Sequence, residues 1–189
     1  MSSIFLPPYL EERIATLRRR AIHNPRNPDV REVVRLRAND ACEYCLLPTV
    51  SQFHIEHIVP SHLWGAYVAG QAAGLPPRPG RSGPNHIDNY AWSCPFCNGA
   101  KSKRVAHGAG RTAIRFFDPR YDHWPDHFIF MAASKHLIIV GKSEIGRVTS
   151  GPGGLHFNAG GVESPLGTRH NQIMDGNYPP AWARAAYDI

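Results

Sequence analysis

Apolar positions near the start of the chain recur with a helical period. Leu10, Ile14, Leu17 and Ala21 fall at i, i+4, i+7 and i+11, which predicts a helix over 9–22. Its other side carries Arg13, Arg18, Arg19 and Arg20, read either as a solvated face or as an arm touching phosphate. Asn24-Pro25-Arg26-Asn27-Pro28 breaks that pattern. A second helix is predicted over about 30–39, capped by Asp29, with Val30, Val33, Val34 and Leu36 inward and Arg31, Arg35 and Arg37 outward. Around Gln52–Val59 apolar and polar residues follow a strand pattern, and Tyr90–Ser93 reads as a second short strand. Asn98–Val105 reads as a helix bearing Lys101, Lys103 and Arg104.

Between these strands runs a long connection, 60–88, with a short helix expected within Ser61–Ala73 and a loop rich in Pro, Gly and Arg over Gly74–Pro84. Beyond a Gly-rich linker at 108–110, strands are expected at 114–117, 128–131 and 137–141, the last two joined by a turn at Ala132–His136. Residues 150–168 read as irregular and 169–174 as helical. The expected class is α+β: an N-terminal helical arm (1–28), a central unit (29–107) and a small β-rich C-terminal extension (108–189).

Charge narrows the choice of partners. The chain of 189 residues has 21 Lys and Arg against 15 Asp and Glu, a net charge of +6. A basic balance favours a polyanion, nucleic acid first, although a solvated basic surface has the same composition. No apolar run approaches the ~18 residues of a membrane span. The first residues lack the basic and apolar regions of a secretory leader. An intracellular, cytoplasmic location is therefore expected.

The four cysteines fall in two pairs, Cys42/Cys45 and Cys94/Cys97, with 48 residues between the inner two. In a reducing compartment such pairs point to zinc rather than to disulfides. Four thiolates fill a tetrahedral shell, so this Zn²⁺ would be structural, tying the 40s to the 90s. Between the pairs lies Phe53-His54-Ile55-Glu56-His57-Ile58-Val59-Pro60. Strand alternation sends His54 and Glu56 to one face and Phe53 and His57 to the other. One metal could therefore meet both Glu56 and His57 only where the strand distorts, and Pro60 permits this at its end.

Taken together, Cys42-x-x-Cys45, Ile55-Glu56-His57-Ile58-Val59-Pro60, Asp88-Asn89 and Cys94-x-x-Cys97-Asn98-x-x-Lys101 resemble the HNH endonuclease family, in particular its zinc-containing, McrA-like branch. The likeness covers about 30–106. Phe117-Asp118-Pro119-Arg120-Tyr121-Asp122-His123-Trp124, with the residues up to Thr149, resembles an extension of some bacterial HNH proteins of unassigned role.

The resemblance implies a ββα-metal core. His57 would be the general base, and Asn89 would hold the two arms of the motif together. Glu56 and Asn98 would be ligands of a catalytic divalent ion, in a His-Asn-Asn version with Glu in place of Asp. Oxygen donors would favour Mg²⁺ or Mn²⁺. Lys101, Lys103 and Arg104 would lie against phosphate. The implied activity is phosphodiester hydrolysis of double-stranded DNA, as endonuclease or nickase, in restriction or phage defence, with a homodimer one route to cutting both strands. The other reading is a zinc-ribbon DNA-binding module without activity. Plainer roles stand beside several of these assignments: a helix cap for Asn98, a turn for Asn89, a solvated face for Lys103 and Arg104. His54, His123 and His127 read as packing or surface residues.

Overall fold

The structure, a computed structural model, describes residues 6–20, 24–48, 50, 52–72, 74–107, 113–133, 136–161 and 163–187. The expected linker at 108–110, the tip of the 132–136 turn (134–135), Ser51, Ala73 and the last residues of the first predicted helix (21–22) lie outside them.

Two N-terminal helices form as their periodicity predicts, α1 over Pro8–Arg19 and α2 over Pro28–Arg37. The cap of α2 is Asn27 rather than Asp29, because Pro28 fits the first helical position and Asn27 Oδ1 then accepts from the Asp29 backbone N–H at 2.8 Å. These helices are no detached arm. Leu10, Ile14, Leu17, Val30, Val33 and Val34 share a core with Ile87, Tyr90 and Trp92. Arg13 pairs with Glu32 and Arg18 with Asp88, so part of the basic face of α1 is engaged within the fold. Arg37, expected to face outward, is buried.

At the centre of the chain two short strands are followed by a helix. Strands β1 (His54–His57) and β2 (Tyr90–Ser93) pair antiparallel, with Ile55 opposite Trp92, Glu56 opposite Ala91 and His57 opposite Tyr90. Helix α3 (Trp64–Val68) lies in the connection, preceded by a 3₁₀ turn at Ser61–Leu63. Helix α4 (Pro95–Lys101) follows β2 at once. It starts three residues before the predicted helix because Cys94 caps it, its Sγ accepting from the Cys97 N–H.

The C-terminal part is mixed rather than β-rich. Two short strands, β3 (Ala106–His107) and β4 (Ile114–Arg115), pair with each other. A hairpin of β5 (Phe128–Ala133) and β6 (His136–Gly141) follows the one-turn helix α5 (Trp124–His127). Helices α6 (Glu144–Ser150), α7 (Pro165–Met174) and α8 (Ala181–Tyr187) then outweigh the strands. Caps that the apolar pattern does not reveal start two of them: Ser143 Oγ accepts from Gly146 N–H and Ser164 Oγ from Gly167 N–H. Gly146 lets α6 lie against α5, since a Cβ there would stand 1.9 Å from His127 O.

This part does not stand apart from the centre. Phe116, Phe117, Trp124, Phe128, Phe157 and Tyr178 share one core with the four cysteines, Tyr44 and Ala91. Trp124 Nε1–H donates to Tyr44 O and Tyr178 O–H to Cys45 O, so the C-terminal segment satisfies carbonyls of the first cysteine turn. Arg81 and Asp118, both buried, pair at 2.9 Å and fasten the 74–84 loop to the same segment. That loop therefore does not present Arg81 to an outside partner. No helix among the described residues is long and apolar enough to cross a membrane.

Candidate functional site

Folding gathers Cys42, Cys45, Cys94 and Cys97 into one buried cluster in which all four sulfurs lie within 4.8 Å of one another. Cys45 Sγ and Cys94 Sγ are 3.7 Å apart, and none of the four is in a disulfide. A tetrahedral ion with Zn–S bonds of ~2.3 Å needs sulfurs about 3.8 Å apart, so the donor set can hold a metal ion and matches structural zinc. Burial pushes Cys94 and Cys97 up, whereas at Cys42 hydrogen bonds from the other three outweigh burial and pull it well below the ordinary thiol value.

The cysteine turns also build the sheet edge. Glu43 N–H donates to Trp92 O and Glu43 Oε2 accepts from Trp92 N–H, so the first turn pairs with the free edge of β2. Sequence reading passed over Glu43 and Tyr44, which look like filler between two ligands.

Within β1 the alternation holds. His57 is half-buried on one side, its ring edge-on to Tyr90 at 5.1 Å, and its Nε2 sits 2.9 Å from Asn85 Oδ1. Asn85 can only accept through Oδ1, so this contact places a proton on Nε2 and leaves Nδ1 as the lone-pair nitrogen of the neutral ring. Asn85 was not singled out from the sequence, and its position in the Pro84-Asn85-His86 turn offers no signal for that role.

Asn89 is fully buried and closes the loop between the strands. Its Oδ1 accepts from Val59 N–H at 2.9 Å, and its Nδ2 donates to Val59 O at 2.8 Å and to Pro84 O at 2.7 Å. It thereby ties Val59, two residues beyond β1, to the turn that carries Asn85.

Glu56 faces the other way. It is 5 % exposed; its Oε1 accepts from Lys101 Nζ at 2.8 Å and its Oε2 from Tyr44 O–H at 3.2 Å. Burial raises the Glu56 carboxyl, while the Lys101 ammonium and the Tyr44 hydroxyl act in the opposite direction. An ammonium within hydrogen-bond distance repels a second cation, so Glu56 and Asn98 in this arrangement do not fit Mg²⁺ or Mn²⁺ as a ligand pair. Asn98 is half-buried on α4, the turn before Lys101.

Lys101 is a correction to the sequence reading. It is 1 % exposed and also donates to His57 O at 2.9 Å, so it cannot reach a phosphate. Helix α4 turns its third and seventh residues inward, and Lys101 falls opposite the buried carboxylate. Arg104 is exposed yet committed to the fold, donating to the carbonyls of Ala100, Gly153 and Gly154. Lys103 is exposed. His54 is half-buried on β1, and His127 contacts Ser143 Oγ.

No family model, no curated protein and no solved structure matches the chain.

Proposed function

We propose that the chain is a zinc-stapled phosphodiester hydrolase of the HNH type, acting on double-stranded DNA. The observation that carries this reading is His57. It stands at the end of β1 with Nε2 engaged by Asn85, so that Nδ1 is the basic nitrogen, in a turn closed by Asn89. A neutral imidazole held in one tautomer suits a general base: it takes a proton from water as the water oxygen bonds to phosphorus, the P–O ester bond opposite breaks, and the leaving strand oxygen departs and takes up a proton from solvent. Asn85 positions the ring and Asn89 positions Asn85. Zinc held by the four cysteines would join the two turns that flank β1 and β2, with no open coordination position and no part in the chemistry. Because Glu56 and Asn98 do not fit a Mg²⁺ or Mn²⁺ site in this arrangement, no catalytic step is assigned to them. Cytoplasmic restriction or phage defence is the setting in which such an activity serves a cell, and pairing of two copies would allow both strands to be cut.

One observation favours the second reading, an inactive zinc-ribbon DNA-binding module: Lys101 occupies the carboxylate expected to hold the catalytic ion. Supercoiled plasmid incubated with the protein and Mg²⁺ or Mn²⁺ separates the two. Wild-type protein is expected to produce nicked circles. His57→Ala is expected to lower the rate by about 10²–10⁴-fold, the usual share of a general base, and Asn85→Ala by about tenfold through lost ring orientation. Plasmid binding without nicking, by wild type and His57→Ala alike, would sink the nuclease reading and leave the binding module.

A further inference from the structure

The β5–β6 hairpin is a two-stranded sheet, so each of its strands pairs on one side only. The outer side of β6 is closed by side chains. Asn158 Oδ1 accepts from Ile139 N–H, Asn158 Nδ2 donates to Ile139 O, and Arg169 Nη1 donates to Leu137 O. These bonds fix the phase of the ladder. Ile139 and Leu137 turn their polar groups away from β5, so the residues opposite them, Phe130 and Ala132, turn theirs away from β6. Among the described residues, no hydrogen bond meets the backbone N–H or C=O of Phe130 or Ala132.

The side chains leave this edge open as well. Phe128-Ile129-Phe130-Met131-Ala132-Ala133 holds no charge and no proline, the residues that usually guard a free edge. Phe128 and Phe130 pack into the core. Ile129 and Met131 alternate to the other face, where they are 47 % and 49 % exposed, too open to belong to that core. Val140 and Ile138 stand opposite them on β6, so the outer face of the hairpin is apolar across both strands.

A bare row of backbone donors and acceptors is met by another extended strand. The edge of β5 is complementary to itself. When two copies run antiparallel with Met131 opposite Met131, Phe130 of each faces Ala132 of the other, and the free N–H and C=O groups of both residues are all paired. Sliding the register toward Phe128 forfeits a bond, because the Phe128 N–H already donates to Trp124 O. The Met131-centred register also sets Ile129 beside Ala133 of the other copy, which joins the two apolar faces.

We propose that β5 is a dimerisation strand: two copies of this chain pair edge to edge through Phe130–Ala132, forming one continuous sheet in the order β6–β5–β5–β6 centred on Met131. The interface is isologous and stops at two copies, because the outer side of β6 is already closed. The inference does not rest on the reading of His57.

Sedimentation equilibrium of the full chain across the micromolar range tests it. An edge contact is small beside the ~1,600 Å² of a typical stable interface, so a reversible monomer–dimer equilibrium is expected. Met131→Lys sets like charges opposite one another and is expected to weaken the dimer about tenfold or more. Ala132→Pro removes one donor from each copy and is expected to weaken it by about tenfold. Met131 and Ala132 are exposed, so neither change enters the core. Met174→Lys, at an exposed position of α7, is expected to leave the equilibrium unchanged. The register has its own readout. Met131→Cys is expected to give a disulfide-linked dimer with oxidised glutathione, since opposed residues of a non-hydrogen-bonded pair lie about 4.5 Å apart at Cα. Ile129→Cys, set opposite Ala133 of the other copy, is expected to give none. A monomer at every concentration overturns the proposal and leaves the edge to a strand of a different chain. A dimer unchanged by Met131→Lys and Ala132→Pro, growth past two copies, or cross-linking of Ile129→Cys in preference to Met131→Cys overturns it equally.

Discussion

Cys94→Ser is expected to abolish metal binding and cooperative folding of the chain. Zinc held by four thiolates contributes about 10–16 kcal/mol of apparent binding free energy at neutral pH. Whole domains are stable by only about 5–15 kcal/mol. Loss of one ligand therefore removes an amount comparable with the total. Here the effect should spread beyond the cysteine turns, because the cluster lies within the core that also holds Phe116, Phe117, Trp124, Phe128 and Tyr178. Cys94 carries a second role, capping α4 through its Sγ, which serine reproduces only in part. Metal analysis of the purified protein should give one zinc per chain for wild type and none for the variant. Thermal unfolding followed by circular dichroism should show a single transition for wild type, lost on adding a strong chelator and absent in Cys94→Ser. A wild-type protein that purifies without zinc and melts identically with and without chelator would refute the structural-zinc reading.

Lys101→Met is expected to destabilise the fold by about 3–5 kcal/mol, the usual effect of removing one partner of a buried ion pair. Lys101 and Glu56 are 1 % and 5 % exposed and 2.8 Å apart. Methionine would leave a carboxylate deep in the core with only Tyr44 O–H to answer it. The double change Glu56→Gln with Lys101→Met removes the stranded charge, and most of the stability should return.

The pH dependence of Lys101→Met has a definite sign. The Glu56 carboxyl titrates above 4.5 in the folded protein, chiefly through burial. A raised carboxyl value means the fold favours the neutral acid. The penalty for ionising it is fully present above the folded value and is lost as pH falls toward the unfolded value of 4.5. Removing Lys101 takes away the main opposing influence and widens that window. Urea unfolding at neutral pH and near pH 5 should therefore show the deficit of Lys101→Met shrinking as the solution is acidified. An equal deficit at both values would show that Glu56 ionisation is not its source.

The same pair shows where reading the chain alone went astray. The sequence pattern puts Lys101 with Lys103 and Arg104 on one helix, against phosphate. The helix starts at Pro95, capped by Cys94, and ends at Lys101. Lys101 lies four residues after the buried Cys97 and shares its inward face, whereas Lys103 and Arg104 fall beyond the end of α4. Arg37, read as outward, and Arg81, in the 74–84 loop, are also buried, the first held by backbone carbonyls and the second by Asp118.

Local chemistry determined much of the rest. Periodicity located α1 and α2, alternation separated Glu56 from His57, and the spacing of the cysteines identified one four-sulfur set across 48 intervening residues. Each is written in short-range spacing or in a residue type with few alternative uses. Tertiary structure decided the partners: Asn85 for His57, Lys101 and Tyr44 for Glu56, Glu43 for the edge of β2, and the C-terminal aromatics for the cysteine core. Those contacts join residues from 12 to 133 positions apart. The cost of burying a charge or an unpaired donor is settled by neighbours that no local pattern names.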